Sequence, residues 1–290
     1  MRLAFLGTPE PAVPALRALV QAGHDVAMVI TRPDRRRGRG SQLSSSPVKS
    51  AALELGLTVG HELSELDQVS IERGIVVAYG ALVPSSVLDR VPMLNVHFSL
   101  LPRWRGAAPV ERAILAGDEV TGVSVMTLEA ALDTGPVHAE RRTSVDMKTS
   151  AQLTSELAAL GAQLLTEVLD SAELLSNPVP QSGEPTYAAK LSAETFHLLP
   201  SMSVAQLERT VRLGKAFTLI NGRRVKVLAG HIAPVAGREG SIVAVPGGFA
   251  LASVDGALAL DSVQPEGSRP MSSGEWWLGA RLEGNHVEWA

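Results

Sequence analysis

A chain of 290 residues with 45% hydrophobic and 19% charged side chains is long enough for two folded domains, at roughly 100 to 200 residues each. Its composition is too ordinary for a disordered, collagenous or heptad-rod protein. The 26 basic and 30 acidic residues leave a net charge of −4, which argues against a general polyanion binder but leaves room for a local basic patch. Cysteine is absent, so disulfides, thiolate nucleophiles, iron–sulfur clusters and cysteine zinc sites are excluded, and metal chemistry could rest only on seven histidines and the carboxylates.

The apolar run at Arg2 to Leu6 has strand length and is cut at once by Gly7-Thr8-Pro9, so it reads as neither a signal peptide nor a span. No other run approaches the roughly 20 apolar residues of a membrane helix. The expectation is a soluble, cytoplasmic protein. Pro9 to Gly23 carries Val13, Leu16, Leu19 and Val20 at helical spacing and ends on glycine. Asp25 to Thr31 is apolar nearly throughout, as a parallel strand covered on both faces is, and completes a βαβ unit.

Arg32 to Gly40 holds five arginines against one aspartate and reads as a charged loop. Pro47 to Leu55 reads as a helix, Gly74 to Ala78 and Met93 to Phe98 as buried strands, and Pro109 to Ala116 as a helix. Gly122 to Leu128 and Val137 to Val145 read as two further strands, the second polar enough for a sheet edge. Thr149 is placed to cap a long helix in which Leu153, Leu157, Leu160, Leu164, Val168 and Leu175 recur at spacings of three, four and seven.

Ser176 to Tyr187 concentrates Pro, Ser and Gly and reads as a linker. The expected division is a first domain at 1–175, a linker at 176–200 and a second domain at 201–290. After a helix at Ser203 to Leu213, short alternating segments divided by Gly and Pro point to a small β-barrel or sandwich. Trp276 and Trp277 could stack on nucleotides, but they fit the core of such a barrel better.

The stretch Asn95 to Pro109, NVHFSLLPRWRGAAP, starts on a strand and breaks at Pro102. Alternation along the strand puts Asn95 and His97 on one face, roughly 6 to 7 Å apart, so they can touch one substrate. There an amide could stabilise an oxyanion while an imidazole moves a proton; a strand-end polar pair bonded to backbone is the alternative. Asp133, in the turn Leu132-Asp133-Thr134-Gly135, could orient that histidine or be plain turn chemistry. Gly7-Thr8 lacks the further glycines and the lysine of dinucleotide and phosphate-loop sites. Arg35, Arg36, Arg37 and Arg39, and a second basic stretch at Arg209, Arg212, Lys215, Arg223, Arg224 and Lys226, could grip phosphates or be solvated.

On NVHFSLLPRWRGAAP, together with GTPEPA, TRPDRRRGRG, SPVKSAA, VVAYGALVP, LDTGPV, TYAAKLS and SVQPEGSRPMSSGEWWLGAR in that order, the chain resembles the methionyl-tRNA formyltransferases, within the wider family that uses 10-formyltetrahydrofolate. The resemblance covers nearly the whole chain. It implies a doubly wound, mostly parallel α/β sheet of Rossmann-like form, followed by a small OB-like β-barrel that binds tRNA. It further implies Asn95, His97 and Asp133 as catalytic residues. Ser99, Leu100, Leu101 and Pro102 would lie beside the folate, with Tyr79, Gly80, Ala81, Leu82 and Val83 lining the pterin pocket. The arginines and lysines named above would hold the initiator methionyl-tRNA, with no metal required and a monomer expected. The chain departs from the family pattern at Ser41-Gln42 after Gly-Arg-Gly, at Leu198-Leu199-Pro200, and in the shortened stretch Arg212 to Phe217. A formyltransferase acting on a small amine, such as an amino sugar or glycinamide ribonucleotide, and a non-catalytic folate- or tRNA-binding relative are the alternatives.

Overall fold

The computed structural model describes residues 1–37, 42–280 and 289–290. They form two compact units, one of residues 1–110, 119–144 and 153–189, the other of residues 111–118, 145–152 and 190–290.

In the first unit, β1 (Arg2–Gly7) leads through a single 3-10 turn into α1 (Val13–Gln21) and then β2 (Asp25–Ile30). The expected helix therefore starts with a tighter turn at Glu10–Ala12, and Gly23, at φ +80°, supplies the left-handed residue that closes it. A short hairpin follows, β3 (Arg35–Arg37) and β4 (Gln42–Ser44), paired from Arg35↔Ser44 to Arg37↔Gln42. Sequence reading had this basic segment as loop. An extended backbone sends successive side chains to opposite faces, so neighbouring cations need not crowd and the charge does not prevent pairing.

Next come α2 (Pro47–Glu54), capped by the Ser46 side chain accepting from Lys49 N at 3.0 Å, then β5 (Val59–Gly60), β6 (Arg73–Val77), α3 (Ser85–Leu88) and β7 (Met93–His97). Beyond β7 in the chain lie β8 (Arg105–Gly106), α4 (Pro109–Ala116), β9 (Val120–Thr127), β10 (Val137–Ser144), α5 (Ser150–Asp170), α6 (Ala172–Ser176) and β11 (Tyr187–Ala188), of which most of α4 and the first residues of α5 group with the second unit.

The main sheet runs β5-β2-β1-β6-β7-β9-β10. Its first five strands are parallel, while β9 and β10 are antiparallel. Chain order reverses between β1 and β6, the doubly wound arrangement that opens a crevice at the carboxyl ends of those strands. The five residues of β7 are all buried, and β10 alternates as an edge strand does. Gly161 lets α5 approach this sheet, since a Cβ there would meet Val96 at 2.7 Å. Thr149 caps α5, its hydroxyl accepting from Gln152 N at 3.3 Å. The expected single helix to Leu175 is broken at Ser171, which takes extended dihedrals and whose side chain caps α6 by accepting from Leu174 N at 3.2 Å. The stretch read as a linker contributes β11, which pairs with β8 inside the first unit.

The second unit carries α7 (Val204–Arg212), β12 (Phe217–Ile220), β13 (Arg223–Ala233), β14 (Ile242–Val245), β15 (Gly248–Ala252), β16 (Ala257–Pro265), β17 (Met271–Ser272) and α8 (Ser273–Gly279). Its strands form a curled antiparallel half-barrel ordered β12-β13-β16-β15-β14, with β17 beside β16. Register shifts around Ala229 bend β13. The core joins Leu207 and Val211 of α7 to Val225, Val227, Phe249 and Leu258. Trp276 and Trp277 pack on Phe249, with ring centroids 5.4 and 5.2 Å away, and so lie, partly buried, against the core.

Candidate active site

A cavity of about 530 Å³ opens at the carboxyl ends of β6 and β7. Tyr79, Gly80, Ala81, Leu82 and Val83 form one wall, Leu128 to Leu132 another, and Asn95, His97 and Asp133 bring polar atoms to it. The backbone after β6 is left-handed at Ala78 (φ 47°) and Gly80 (φ 74°), which turns this segment into a wall instead of a helix. Tyr79 is buried, and burial pushes its hydroxyl pKa up. Leu82 and Leu132 stand exposed at the mouth.

Asn95 and His97 share a face of β7, as strand alternation requires, and both are over nine-tenths buried. Asp133 reaches them from the turn after β9. Its Oδ1 accepts from Asn95 Nδ2 at 3.4 Å, its Oδ2 lies 3.7 Å from His97 Nδ1, and Gly106 N donates to Oδ2 at 2.7 Å. The imidazole is fixed from its other side, where Nε2 lies 2.9 Å from the Trp104 carbonyl. A carbonyl can only accept, so Nε2 carries the proton and Nδ1 of the neutral ring presents its lone pair on the Asp133 side. The three groups that the sequence offered separately are thus one constellation. An amide donor, an imidazole and a carboxylate beside an apolar cavity can stabilise developing negative charge and accept a proton.

Ser99, Leu100, Leu101 and Pro102 do not line this cavity. Ser99 is fully buried, its carbonyl accepts from Ser124 Oγ at 2.8 Å, and Leu101 N donates to the same hydroxyl at 3.3 Å. The Leu100 side chain lies against Gly122. The segment is anchored to β9 because Ser124 bridges its backbone, and it acts as footing for the loop that carries Trp104 and Gly106.

The basic residues divide into two groups. Arg35 and Arg36 are exposed on β3, and Lys215, Arg223, Arg224 and Lys226 are exposed on the second unit. Only the backbone of Arg37 is described, and Arg39 lies outside the described residues. The Arg224 guanidinium sits 3.7 Å over the Phe217 ring, whose own ring stacks on His197 at 4.7 Å, and Lys215 Nζ lies 5.5 Å over Phe196.

Arg212, placed among the phosphate-gripping residues on sequence, is instead structural. Its side chain is 10% exposed, pairs with buried Glu208 at 2.8 Å and donates to the Asp146 carbonyl at 2.7 Å. Arg209 is half-buried with its guanidinium over Gly117. Helical spacing puts Glu208 and Arg212 one turn apart, so the pairing had a signal in the sequence, but their burial had none.

Sequence reasoning missed Trp104, Gly106 and Gln181. Gly106 had a local cue, a glycine in the stretch that follows the break at Pro102, and its φ of +119° shows why glycine stands there. Gln181 had none.

The formyl transferase family model matches residues 1–169, and the model of that family's C-terminal domain matches residues 190–281. A methionyl-tRNA formyltransferase of Rhizorhabdus wittichii is 43% identical over 292 residues, covering 95% of this chain and 94% of that protein. Among solved structures, an N-formyltransferase of Helicobacter canadensis in complex with folinic acid and dTDP-3-aminofucose superposes with a TM-score of 0.69 at 15% identity, over 89% of this chain and 98% of that one. A methionyl-tRNA formyltransferase of Clostridium thermocellum superposes with a TM-score of 0.58 at 15% identity, over 80% of this chain and 94% of that one. Matched through both of its domains and along almost its whole length, this chain belongs to the formyl transferase family.

Proposed function

We propose that this protein transfers the formyl group of 10-formyltetrahydrofolate to the α-amine of methionyl initiator tRNA, with Asn95, His97 and Asp133 as the catalytic residues. The observation that carries this reading is their convergence on one apolar cavity, in a chain that matches a methionyl-tRNA formyltransferase over nearly its full length. At about 530 Å³ the cavity falls within the size range of small-molecule sites, and its apolar walls with a few convergent polar groups suit the fused ring of a folate. The folate supplies an activated formyl group when bound. Tyr79 to Val83 would pack against the ring, and Leu82 and Leu132 flank the entrance to the cavity.

As the amine attacks the formyl carbon, His97 Nδ1 would take the amine proton and Asn95 Nδ2 would donate to the formyl oxygen, where negative charge develops; the bond from that carbon to the folate N10 then breaks, and His97 would return the proton to N10 as tetrahydrofolate leaves. The imidazolium so formed lies beside Asp133 Oδ2, which the Gly106 N–H holds in place. Ser99 to Pro102 support this loop from beneath. For the tRNA, we assign contacts to the exposed cations Arg35, Arg36, Lys215, Arg223, Arg224 and Lys226, and to Arg37 and Arg39 by their place in the basic segment. In this reading the enzyme works as a cytoplasmic monomer. Among the described residues, no helix is long and apolar enough to cross a membrane.

The test is formyl transfer from 10-formyltetrahydrofolate to methionyl initiator tRNA, run beside methionyl elongator tRNA and a nucleotide-linked amino sugar. Formylation of the initiator is expected, with Asn95→Ala and Asp133→Asn each lowering turnover by about two orders of magnitude or more. Transfer to the amino sugar alone would replace the tRNA with a small amine as substrate. Near wild-type turnover in either variant would remove that residue from catalysis.

A further inference from the structure

The mechanism needs Asp133 held in an unusual place. Its φ is +52°, a left-handed conformation that a non-glycine residue keeps only where its surroundings enforce it. The enforcing group comes from 48 residues further along the chain, in the stretch that composition marks as a linker. Gln181 Nε2 donates to the Asp133 carbonyl at 2.9 Å and to the Gly135 carbonyl at 2.8 Å, clamping the turn on both sides of Thr134. Its Oε1 accepts from Arg105 Nε at 3.0 Å and from Arg105 Nη2 at 2.7 Å.

One side-chain amide thus uses both donor hydrogens and both acceptor lone pairs. The bonds close a circuit. Gln181 grips the backbone that carries Asp133, and through Arg105 it grips the residue preceding Gly106, whose N–H holds Asp133 Oδ2. The same stretch fixes the loop on the other side of His97. Thr186 Oγ1 accepts from Trp104 N at 2.9 Å, next to the carbonyl that faces His97 Nε2.

We propose that Gln181 is a positioning residue for formyl transfer: it acts through Asp133, setting the carboxylate against His97, and touches no substrate. The proposal rests on the catalytic reading given above. It predicts that the Gln181 amide contributes to turnover only while the Asp133 carboxylate is present.

The experiment is a double-mutant cycle on the full chain, with kcat and KM measured for both substrates and thermal melts recorded for every variant. Gln181→Ala is expected to lower kcat about tenfold or more with KM nearly unchanged. In an Asp133→Asn background, where asparagine tolerates the left-handed backbone, the same substitution is expected to change kcat by less than about twofold. Gln181→Met, matched in length but without hydrogen bonds, serves if the alanine variant fails to fold and is expected to behave alike. An equal loss in both backgrounds, or a loss confined to KM or to the melting temperature, would overturn the positioning role. Wild-type turnover of Asp133→Asn alone would instead overturn the catalytic reading, so the two failures can be told apart.

Discussion

At the scale of single residues, unusual backbone conformations gather around the candidate site. Ala78, Trp104 and Asp133 are non-glycine residues with φ of 47°, 61° and 52°, and they border one cavity or hold its histidine. Such conformations persist only where surrounding bonds over-determine them, and each one here delivers a wall, a carbonyl or a carboxylate. Gly106 shows the complementary case. At φ +119°, a Cβ would also approach the Ala188 carbonyl to 2.9 Å. Gly106→Ala is expected to destabilise the protein by about 1 to 3 kcal/mol through strain and to lower turnover by displacing the N–H that holds Asp133. Urea unfolding beside a turnover assay checks this, and unchanged values in both would show that the loop relaxes freely. Asn95 and His97 were legible as a pair, since alternation along a strand is a backbone property. That Asp133 meets them was not, because no local rule relates a turn to a strand that lies 38 residues earlier in the chain.

At the scale of elements, apolar runs in the sequence marked four of the five parallel strands, because strands covered on both faces must be apolar throughout, and missed β5, whose two residues are too short to make a run. Sequence reading also failed where a side chain competed with the backbone pattern, as at Ser171, which ends one helix and caps the next. The α6 helix so created is bonded to β10. His138 Nδ1 donates to the Leu174 carbonyl at 3.0 Å, and Thr127 Oγ1 bonds Nε2 at 2.9 Å. Burial lowers the His138 pKa; the bond to Leu174 opposes this, and the charge of Arg73 adds to it.

An unfolded histidine titrates near 6.5, so the unfolded chain binds more protons than the folded one between that pH and the lower folded value. The stability that neutral His138 contributes is therefore fully present above about pH 6.5 and is lost as pH falls from there through the folded pKa. The urea midpoint is expected to fall between about pH 7.5 and 5.5, and His138→Gln should flatten part of that slope. His24, also lowered chiefly by burial, accounts for a further part. An identical slope in the variant would show that His138 carries none of it.

At the scale of the molecule, the two compact units are interleaved in sequence, since residues 111–118 and 145–152 group with the C-terminal unit. A reading by composition can only place boundaries along the chain, so it had no access to this. The cations divide by their surroundings in the same way. If tRNA binding uses the exposed ones, Lys215→Glu with Arg224→Glu should reduce the slope of log affinity against log salt by about 0.7 to 0.9 per cation removed, without loss of fold. Arg212→Gln should leave that slope alone and destabilise the protein by about 3 to 5 kcal/mol, because Glu208 would stay buried without its partner. Filter binding at several salt concentrations, paired with chemical denaturation, separates the two. An unchanged slope in the double variant would move the tRNA contacts elsewhere.

The sequence by itself determined the class of each domain, the strand bearing Asn95 and His97 and the capping of α5, because periodicity, backbone alternation and cap chemistry act over a few residues. Only the tertiary structure decided that Asp133 faces His97, that Gln181 and Thr186 brace the site from a stretch rich in Pro and Gly, and that Arg212 is buried in an ion pair. Those outcomes depend on which distant segments share a hydrogen bond or exclude water together, and no local pattern in the chain encodes that.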